Sequence, residues 1–563
     1  MHGFASVGYG TSNTWIKKVN IGDKVNKFGY DLFYTGTDSH TWGYEAYKSL
    51  STSKTPGTPA DKNFDIKSNT KNNGKVVRIG KKGEKHWDED NYSGKFTWDF
   101  DENKTLTLSL FKDKSRYSYD YASHENWIGT PGKYFVNSTQ YFSFAEKDFD
   151  GSSGEVDERI YTIGYRDKEN GWTINAGLTD NRSWSGGPYG TVDYVEALSQ
   201  YNSKRYTMSA NKEIALGSKD NSVIGVQFTH DKMDKVKLSN TDLKTITEAG
   251  AGKSTSYSVY FQDEHKFNDK LSLIGALRYD HWTVKDGYVY DSKGYTTNPE
   301  SRSDSAVSPK LALNYKLDDT QSTYISWGKA FSAPTLYTMF AGSINKDANS
   351  MKIVRPNPAL NPQLITSWET GWKKSFDDKT IVEVALFYNK IKNISYQAIT
   401  GKEIIDDAEY TVYQQIAGDE GENKGIEVGI RHQFNERFSA YSNVTFQNPI
   451  ITKANNKSQI DKLVTQTSKR LFNIGVDYND GKFFADLAGN YYSKKFGQGD
   501  NSDVATGVPG AYDPVFLVNM NTRYQFNKNH SLSLLVNNLL DREYHNYNNM
   551  QGRNYLLTYT YSF

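Results

Sequence analysis

The sequence predicts an all-β protein, a 22-stranded antiparallel transmembrane β-barrel with short periplasmic turns and long extracellular loops. Three observations predict this class. Aromatic residues are abundant for so polar a chain, apolar and polar residues alternate along most segments, and a short polar turn recurs. Long polar connections lie between these turns, so one end of the predicted barrel carries short turns and the other end carries long loops.

The aromatic content argues for lipid contact. The 563 residues include 41 Tyr, 28 Phe and 11 Trp, or 14% aromatic, while all hydrophobic residues together reach only 36%. A transmembrane barrel has this composition because only one face of each strand meets lipid. Tyr and Trp then collect in girdles at the two membrane interfaces. The absence of Cys fits an oxidising compartment.

Charge and hydropathy exclude other classes. Lys and Arg number 67 against 66 Asp and Glu, and no basic run or zinc-finger spacing occurs, so we expect no nucleic-acid partner. The mean hydropathy is −0.73. No apolar run approaches the roughly 18 residues that a membrane helix needs.

Two-residue periodicity defines the strands. In residues 104–112 (KTLTLSLFK), Leu alternates with Thr and Ser, and residues 271–279 (LSLIGALRY) and 381–390 (IVEVALFYNK) behave in the same way. Alternation of this kind places apolar side chains on one face of a strand and polar side chains on the other.

The turns give the strand count. Asp, Asn and Gly favour tight turns because they tolerate the left-handed backbone region and hydrogen-bond their own backbone. Ten such turns predict ten hairpins: residues 23–27, 101–104, 167–170, 217–221, 267–270, 317–320, 376–379, 434–437, 478–481 and 526–529. One strand before them (Phe4–Thr11) and one after them (Gly552–Phe563) complete the 22. These two must pair, because an open sheet edge in lipid leaves backbone groups unsatisfied.

The connections between hairpins are expected to be long and irregular. They are residues 40–89, 119–155, 185–202, 237–253, 286–303, 331–364, 396–410, 450–467, 498–511 and 541–551. A soluble propeller is the alternative, but it should repeat a blade signature every 40 to 50 residues or so. No such signature repeats, so the membrane barrel is favoured and we expect one barrel domain over residues 1–563.

Four stretches carry a family resemblance. The C-terminus has Asn537–Tyr544 (NNLLDREY), then Gly552–Tyr555 (GRNY) and a terminal Phe563 after alternating aromatics. Upstream lie "WGKAFSAPTLYTMF" from Trp327, "NPALNPQLITSWETGW" from Asn357 and "NKGIEVGI" from Asn423. In this order they resemble the motifs of TonB-dependent outer-membrane receptors. The matching positions are Phe331, Ala333, Pro334, Asn357, Pro358, Leu360, Asn538, Leu539, Asp541, Tyr544, Gly552, Arg553 and Phe563.

The resemblance implies a location and a function. Members of this family import iron-siderophores, haem or cobalamin across the outer membrane of diderm bacteria, powered by the TonB complex. They contact outer-membrane lipid, and a terminal Phe resembles the signal read by the barrel-assembly machinery. The chain departs from the family because an N-terminal plug domain, a TonB box and a signal peptide are all missing from the sequence.

Because a 22-strand barrel has a wide lumen, the missing plug has to be explained. The favoured interpretation is a plug domain on a separate polypeptide, through which the TonB complex would act. Two alternatives stay open. The chain is a fragment or a plug-deleted version of a longer protein, or it is an unplugged, porin-like diffusion channel.

Enzyme functions are not supported. The ten His are scattered, with no spacing typical of metal ligands, and neither a nucleophile elbow nor a phosphate-binding loop occurs. We therefore expect no catalytic residues, no metal site and no cofactor other than a transported iron-siderophore complex.

A catecholate-type ferric siderophore is the favoured ligand. Such complexes are anionic, flat and aromatic, so they suit Arg and Lys for charge and Tyr and Trp for stacking. Residues of these types in or near the long loops and the upper lumen are the candidates: Trp127, Lys133, Tyr134, Tyr141, Arg182, Trp184, Tyr189, Tyr337, Lys352 and Arg355. The competing interpretation is that loop aromatics pack against each other and basic residues contact lipid headgroups.

Haem and cobalamin remain alternatives within the family. We call the stretch from Trp327 the first box and the stretch from Asn357 the second box. Haem receptors usually place a His between these two boxes, and residues 335–356 contain none. The first box also has Ser332 where Arg is usual. The prolines of the boxes, Pro334, Pro356, Pro358 and Pro362, are expected to stiffen the loop. Which siderophore is carried does not follow from the sequence.

Overall fold

The computed structural model describes residues 2–41, 44–68, 74–188, 195–347 and 350–563. Twenty-two strands form the wall of one closed barrel, as predicted. In chain order they are β1 His2–Gly10, β2 Thr14–Val25, β3 Phe28–Thr41, β4 Lys85–Asp99, β5 Lys104–Tyr119, β6 Gly154–Asp167, β7 Trp172–Pro188, β8 Val195–Ile214, β9 Asp220–Leu238, β10 Ile246–Lys266, β11 Leu271–Asp291, β12 Arg302–Asp318, β13 Gln321–Ser332, β14 Gln363–Ser375, β15 Thr380–Ile405, β16 Ala408–Gln433, β17 Phe438–Gln447, β18 Arg470–Asn479, β19 Phe483–Tyr492, β20 Val515–Gln525, β21 His530–Asn537 and β22 Asn554–Ser562.

Each wall strand pairs antiparallel with its neighbours in the chain, and the first strand closes on the last. The register runs from Phe4 opposite Ser562 to Gly10 opposite Leu556. Beyond it, the backbone N–H groups of Gly3 and Phe563 each donate to the other residue's carbonyl oxygen at 3.0 Å. The predicted pairing of the first and last strands is confirmed.

All ten predicted turns lie at one end of the barrel, each joining two neighbouring strands. Asn and Asp side chains cap them. Asn435, for example, accepts the backbone N–H groups of Arg437 and Phe438 at 2.9 and 3.0 Å. We call this end the turn end and the opposite end the loop end.

Several connections at the loop end are shorter than the sequence predicted. Strands β10 and β11 continue well into the segments expected to be loops, which leaves only residues 239–245 and 292–301 as connections. The expected loop at 396–410 is the tip of a long hairpin, in which only Asp406 and Asp407 lie outside β15 and β16. Polar composition concealed these strands because both faces of a strand above the membrane meet water.

The longer loops carry short elements of their own. The additional strands are Glu45–Ser49, Ser51–Thr52, Ile66–Ser68, Lys75–Lys81, Glu125–Asn126, Gly132–Phe135, Gln140–Phe144, Thr296–Thr297, Ser343–Asp347, Ser350–Arg355, Ile450–Lys453, His545–Asn546 and Asn548–Asn549. Single 3-10 turns occupy Tyr121–Ser123, Glu146–Asp148 and Lys457–Gln459, and the α-helix α1 occupies Leu336–Phe340. Within the described ranges no helix is long and apolar enough to cross a membrane.

The alternation of exposed apolar side chains identifies the outer face. Leu108 and Leu110 of β5, Tyr206 and Met208 of β8, and Tyr257 of β10 are exposed on it, with the intervening residues on the inner face. The inner face carries polar contacts, such as that between Ser258 and Asp280 (2.5 Å). The barrel therefore has an apolar outside and a polar lumen, as a membrane barrel requires.

Candidate functional site

The connection between β13 and β14 (residues 333–362) folds against the inside of the wall. Helix α1 begins after Thr335, whose hydroxyl accepts the backbone N–H of Thr338 at 3.1 Å. Its buried residues Leu336, Met339 and Phe340 pack on side chains of the inner face of β9 and β11: Met233, Trp282, Val284 and Val289. The loop therefore narrows the lumen near the loop end.

Glycines make room for the ring of Phe340. A Cβ added at Gly252 would lie 2.5 Å from this ring, and one at Gly287 would lie 2.6 Å from it. A Cβ at Gly250 would lie 2.3 Å from the carbonyl oxygen of Phe340. These close approaches fix the position of α1 against β10 and β11.

Tyr337, on the free side of α1, is the best placed of the predicted ligand contacts. Its side chain is 49% exposed. Its ring makes an edge contact with Tyr201 of β8 at 5.7 Å between centroids, and Nζ of Lys235 lies 5.3 Å from its centroid. Lys235 lies directly opposite Tyr201 in the sheet and donates to the carbonyl oxygen of Gly342 at 3.1 Å.

A second cation lies lower on the same inner face. Arg205 is four residues from Tyr201 along β8, and its guanidinium Nε donates to Asp231 at 2.6 Å. We call Tyr201, Arg205, Lys235 and Tyr337 the lumen cluster. It combines two cations with two aromatic rings in the channel, an arrangement that suits a flat anionic ligand.

Arg355 is held within the loop framework. Its Nη1 donates to Asp291 at 2.6 Å and its Nε to Glu403 at 3.1 Å, while the guanidinium lies 4.2 Å from the ring centroid of Tyr295. The side chain is only 11% exposed. Neighbouring Lys352 is more open, with Nζ 2.9 Å from the side-chain oxygen of Gln397.

Loops 42–84 and 120–153 share a small core of their own. Phe142, Phe149 and Ile79 are fully buried there. Trp127 lies on its edge, 43% exposed, with the guanidinium of Arg78 4.7 Å from its ring centroid.

Polar contacts hold Trp127 and its neighbours in place. The indole N–H donates to Glu125 at 2.9 Å, and together with Lys81 it holds the pKa of that carboxyl below its usual range. In the described part of the chain, no recorded contact joins this core to the lumen cluster.

The other candidates of this loop pair differ in exposure. Nζ of Lys133 lies 3.9 Å from the ring centroid of Tyr141, so this cation and ring form a surface pair. Tyr134 instead packs on Phe142, and its hydroxyl donates to the carbonyl oxygen of Thr130 at 2.5 Å.

Arg182 and Trp184 do not belong to a loop. They lie within β7 on the same face as the exposed Trp172 and Ile174, which is the outer face of the wall. They are therefore not brought together with the lumen cluster, whose residues lie on the inner face. Tyr189 lies outside the residues that the structure describes.

One group of potential metal ligands occurs among the described residues. Asp220, Asp263 and His265 bring their ligand atoms within 4.8 Å of one another at the turn end. The imidazole lies 2.6 Å from Asp220, and the hydroxyl of Ser222 donates to Asp263 at 2.5 Å. Through these hydrogen bonds the three residues form part of a polar network that joins β9 and β10.

Comparison with known proteins decides the family. Residues 24–539 match the family model described as "TonB dependent receptor-like, beta-barrel". The chain belongs to this family. The resemblance carried by the four sequence motifs is thus confirmed.

Curated relatives cover the chain in part. The probable TonB-dependent receptor BfrD of Bordetella pertussis is 24% identical over 299 residues, 51% of this chain and 37% of that protein. The ferric-pyoverdine BN7/BN8 receptor of Pseudomonas putida is 24% identical over 346 residues, 58% of this chain and 37% of that protein. The chain therefore spans little more than a third of the length of these relatives.

Solved structures share the fold. The copper transporter OprC and the ferric-catecholate import receptor Fiu of E. coli K12 each superpose with a TM-score of 0.69 at 14% sequence identity. Both matches cover 100% of this chain and 82% of the other. The receptor barrel described here is an outer-membrane protein of Gram-negative bacteria, and its relatives are receptors and transporters, not enzymes.

The first two family boxes form the framework of the loop that enters this receptor barrel. Phe331 pairs with Leu364 across β13 and β14, Ala333 packs beside α1, and Pro334 precedes its cap. Pro358 and Leu360 direct their carbonyl oxygens at Arg302, whose Nη1 donates to that of Leu360 at 2.9 Å.

Asn357 ties the second box to the wall. Its amide donates to the carbonyl oxygen of Gln415 in β16 at 2.7 Å, and its oxygen accepts the N–H of Ala359 at 3.0 Å. Leu360 is fully buried. The boxes therefore position the loop that carries Tyr337.

The C-terminal motif builds the last connection at the loop end. Asn538 has a φ of 50° and exchanges hydrogen bonds with Arg542, both at 2.9 Å. Asp541 accepts the N–H of Arg553 at 2.7 Å, and a Cβ at Gly552 would lie 2.5 Å from its carboxylate.

The other motif positions complete this connection and the seam of the barrel. Leu539 donates its N–H to Val518 at 2.7 Å, and the carbonyl of Tyr544 accepts from Met550 at 2.9 Å. Phe563 makes the last backbone contacts of the barrel, with Gly3.

Sequence reasoning missed three of the four residues of the lumen cluster. It searched the loops for ligand contacts, whereas Tyr201, Arg205 and Lys235 lie on wall strands. The signal was available in part, because counting back in twos from the lipid-facing residues of β8 places Tyr201 and Arg205 on the inner face. That α1 would meet them could not be read from periodicity.

Proposed function

We propose that this receptor barrel is the wall of a TonB-dependent importer of a catecholate-type ferric siderophore, completed by a plug domain on a separate polypeptide. The observation that carries the ligand proposal is the lumen cluster. Tyr201 and Tyr337 offer ring faces and edges, and Lys235 and Arg205 offer positive charge along the channel that the ligand would follow.

Ligand chemistry favours this class. A ferric tris-catecholate is anionic and aromatic, so cation attraction and ring contacts act on it together. Haem or cobalamin is the alternative within the family. No His lies between residues 335 and 356 to act as an axial ligand, so haem is less well matched.

The plug proposal rests on closure of the wall. Residues 2–563 complete the barrel, because β1 bonds directly to β22 and the seam runs to Phe563. Barrels of about 22 strands enclose a lumen that is filled in transporters of this size. A plug would block the lumen at rest, and the TonB complex would act on it to open a path.

The ligand proposal can be tested by substitution in the lumen cluster. In cells that depend on this receptor for iron, Tyr337→Ala combined with Lys235→Gln should lower uptake of radiolabelled iron from a ferric catecholate at least about tenfold, since a ring contact and a charge contact are both lost. Matched controls are Tyr288→Ala, on the outer face of β11, and Lys244→Gln, in the exposed loop 239–245. Equal uptake in the cluster variant and in the controls would contradict the proposed site.

Measurements of barrel permeability test the plug proposal. The purified chain alone should give large, steady single-channel currents in planar bilayers. Cells that express it with its companion polypeptide should exclude large antibiotics, and cells lacking that companion should become sensitive to them. The porin-like alternative requires the same permeability in both strains.

A further inference from the structure

Strand β9 carries three polar residues on its inner face at intervals of four residues: Lys235, Asp231 and Gln227. Four residues of an antiparallel strand span about 13–14 Å. Lys235 is itself a cation, and Asp231 binds the guanidinium of Arg205. Gln227 accepts Nη2–H of Arg278, from β11, at 3.2 Å. We call Lys235, Arg205 and Arg278 the luminal cation strip, because they follow one strand from the loop end towards the turn end.

Arg278 is held on the inner face by a polar network. Its Nε and Nη2 donate to Asp280 at 2.9 and 2.8 Å, and Nη2 also donates to the hydroxyl of Ser258 at 2.7 Å. The side chain of Asp280 is 7% exposed, whereas that of Arg278 is 35% exposed. The carboxylate therefore lies behind the guanidinium, and a molecule in the lumen meets the cation first.

A tyrosine ring accompanies the cation at both ends of the strip. Nζ of Lys235 lies 5.3 Å from the ring centroid of Tyr337, and the guanidinium carbon of Arg278 lies 5.8 Å from that of Tyr260. The ring of Tyr260 lies across Gly225, where an added Cβ would be 2.3 Å from it. The two kinds of contact that the lumen cluster offers, charge and ring, thus recur about 27 Å further along β9.

The lower end of the strip lies within the membrane-spanning part of the wall. Ile224 and Val226, which alternate with Gly225 and Gln227 in β9, are exposed on the outer face. Arg278 is therefore an ionised side chain at the depth of the lipid-facing band, turned towards the lumen. Ionised residues in such positions are costly to keep and mark the routes of ions and substrates.

The inner face of β14 to β19 has the opposite charge. Glu369, Glu427, Asp477 and Asp486 project from it, and the two aspartates lie directly opposite each other. Within the described ranges, one recorded ion pair reaches these four carboxylates, that of Arg431 with Asp477 at 3.8 Å. An anion in the lumen is therefore repelled from this sector of the wall and attracted to the luminal cation strip.

We propose that the imported anion passes along the luminal cation strip, and that Arg278 with Tyr260 forms a second station below the lumen cluster. This inference rests on the proposed function, import of a ferric catecholate. Arg205 lies between the two stations. Because Asp231 and Asp280 neutralise the two arginines in part, each holds the anion weakly enough to release it to the next. Arg278 acts in passage through the barrel and not in capture.

The first test measures the charge of the two sectors and needs no imported ligand. Because the chain has no Cys, Gln227→Cys places a single thiol beside Arg278, and Asn443→Cys places one beside Glu427. The purified full chain in a neutral detergent is treated with an anionic or a cationic methanethiosulfonate. The ratio of the anionic rate to the cationic rate should be at least about tenfold higher for Gln227→Cys. Equal ratios at the two positions would overturn the proposed path.

The second test separates passage from capture in cells that depend on this receptor for iron. Arg278→Gln/Asp280→Asn removes the ion pair without leaving a buried carboxylate unpaired. Binding of radiolabelled ferric tris-catecholate on ice should be unchanged, while uptake by energised cells should fall at least about tenfold. Arg278→Lys, which keeps the charge, should retain most of the uptake. The matched control, Arg431→Gln/Asp477→Asn, removes an ion pair from the acidic sector and should change neither quantity.

The outcomes distinguish this inference from the proposed function. Normal binding with normal uptake in Arg278→Gln/Asp280→Asn would overturn the second station and leave the ligand proposal standing. Loss of binding in that variant would also overturn it, because Arg278 would then belong to the capture site. An equal loss of uptake in the matched control would show that the effect is not specific to the strip. Absence of binding by the unaltered receptor would overturn the ligand proposal itself, and the path with it.

Discussion

At the scale of single residues, the loop that enters the lumen depends on a few close contacts. The ring of Phe340 occupies space that side chains at positions 252 and 287 would otherwise fill. The guanidinium of Arg355 forms ion pairs with two carboxylates, those of Asp291 and Glu403, at the edge of the same loop. The sequence identified Arg355 and Tyr337 as notable residues, but only the fold distinguishes a paired guanidinium from an exposed ring.

Gly252→Leu should displace α1 from the wall. The added side chain would overlap the ring of Phe340, and overpacking of this kind costs about 1–3 kcal/mol. Hydrogen exchange of Leu336–Phe340 should therefore accelerate by at least about tenfold. Gly401→Leu is the matched control, because a Cβ there meets nothing within 4 Å. Equal protection of α1 in both variants would show that the glycine contact does not hold the helix.

Arg355→Met should loosen the strand Ser350–Arg355. Removing the guanidinium leaves Asp291, whose side chain is 7% exposed, without its ion-pair partner, and such a loss costs about 3 kcal/mol. Protection of the amides that pair this strand with Thr411–Gln414 should fall. Lys352→Met, which removes one exposed hydrogen bond and a cation contact with the ring of Tyr413 but leaves no buried charge unpaired, should change protection less. A similar loss in both variants would contradict the buried ion pair.

At the scale of elements, the turns were predictable from the sequence. The residues at which the strands end near the loop end were not. Each of the ten turns has Asn, Asp or Gly at the required place, a local signal that no tertiary contact overrides. The loop-end limits of β7, β10 and β11 and the β15–β16 hairpin were not predicted, because the parts of these strands nearest the loop end lack apolar alternation. Their pairing is set by neighbouring strands, which a single segment does not reveal.

The hairpin of β15 and β16 closes through a two-residue turn that needs left-handed backbone at both positions. Asp406 and Asp407 have φ of 50° and 61°. Asp407→Val should destabilise the hairpin tip by about 1–2 kcal/mol, since a β-branched residue disfavours this region. Asp407→Gly should leave the tip as stable or make it more stable. Hydrogen exchange of Ile404 and Ala408 measures both. Asp378→Val, in a turn whose backbone φ is negative, is the control and should have little effect.

Loop 239–245 should respond to pH through Asp242. The hydroxyl and N–H of Thr245 and the N–H of Lys244 donate to its carboxylate and lower its pKa to about 2. Because the folded pKa lies below the ordinary value of about 3.9, the carboxylate stabilises the loop above pH 4 and loses this effect as pH falls towards 2. Amide exchange in residues 241–245, corrected for intrinsic rates, should rise over that interval. Asp242→Asn should abolish the pH dependence, and an unchanged profile in that variant would disprove the assignment.

At the scale of the whole molecule, one chain closes its own barrel. Strand number, alternation and the pairing of the two terminal strands followed from the sequence, because lipid requires every backbone group in the wall to be bonded. The folding of residues 333–362 into the lumen did not, since it depends on contacts between segments far apart in the chain.

The pairing of the first and last strands can be tested with introduced cysteines, because the chain contains no Cys of its own. Ser6 of β1 and Thr560 of β22 lie opposite each other, and their hydroxyl oxygens are 2.9 Å apart. In Ser6→Cys/Thr560→Cys, oxidation of the folded, membrane-inserted protein should form a disulfide, seen as a changed gel mobility that a reductant reverses. Ser531 of β21 lies two strands from Ser6, about 9–10 Å away, so Ser6→Cys/Ser531→Cys should stay reduced under the same conditions. A disulfide in the control pair, or none in the first pair, would mean that the seam does not have this register.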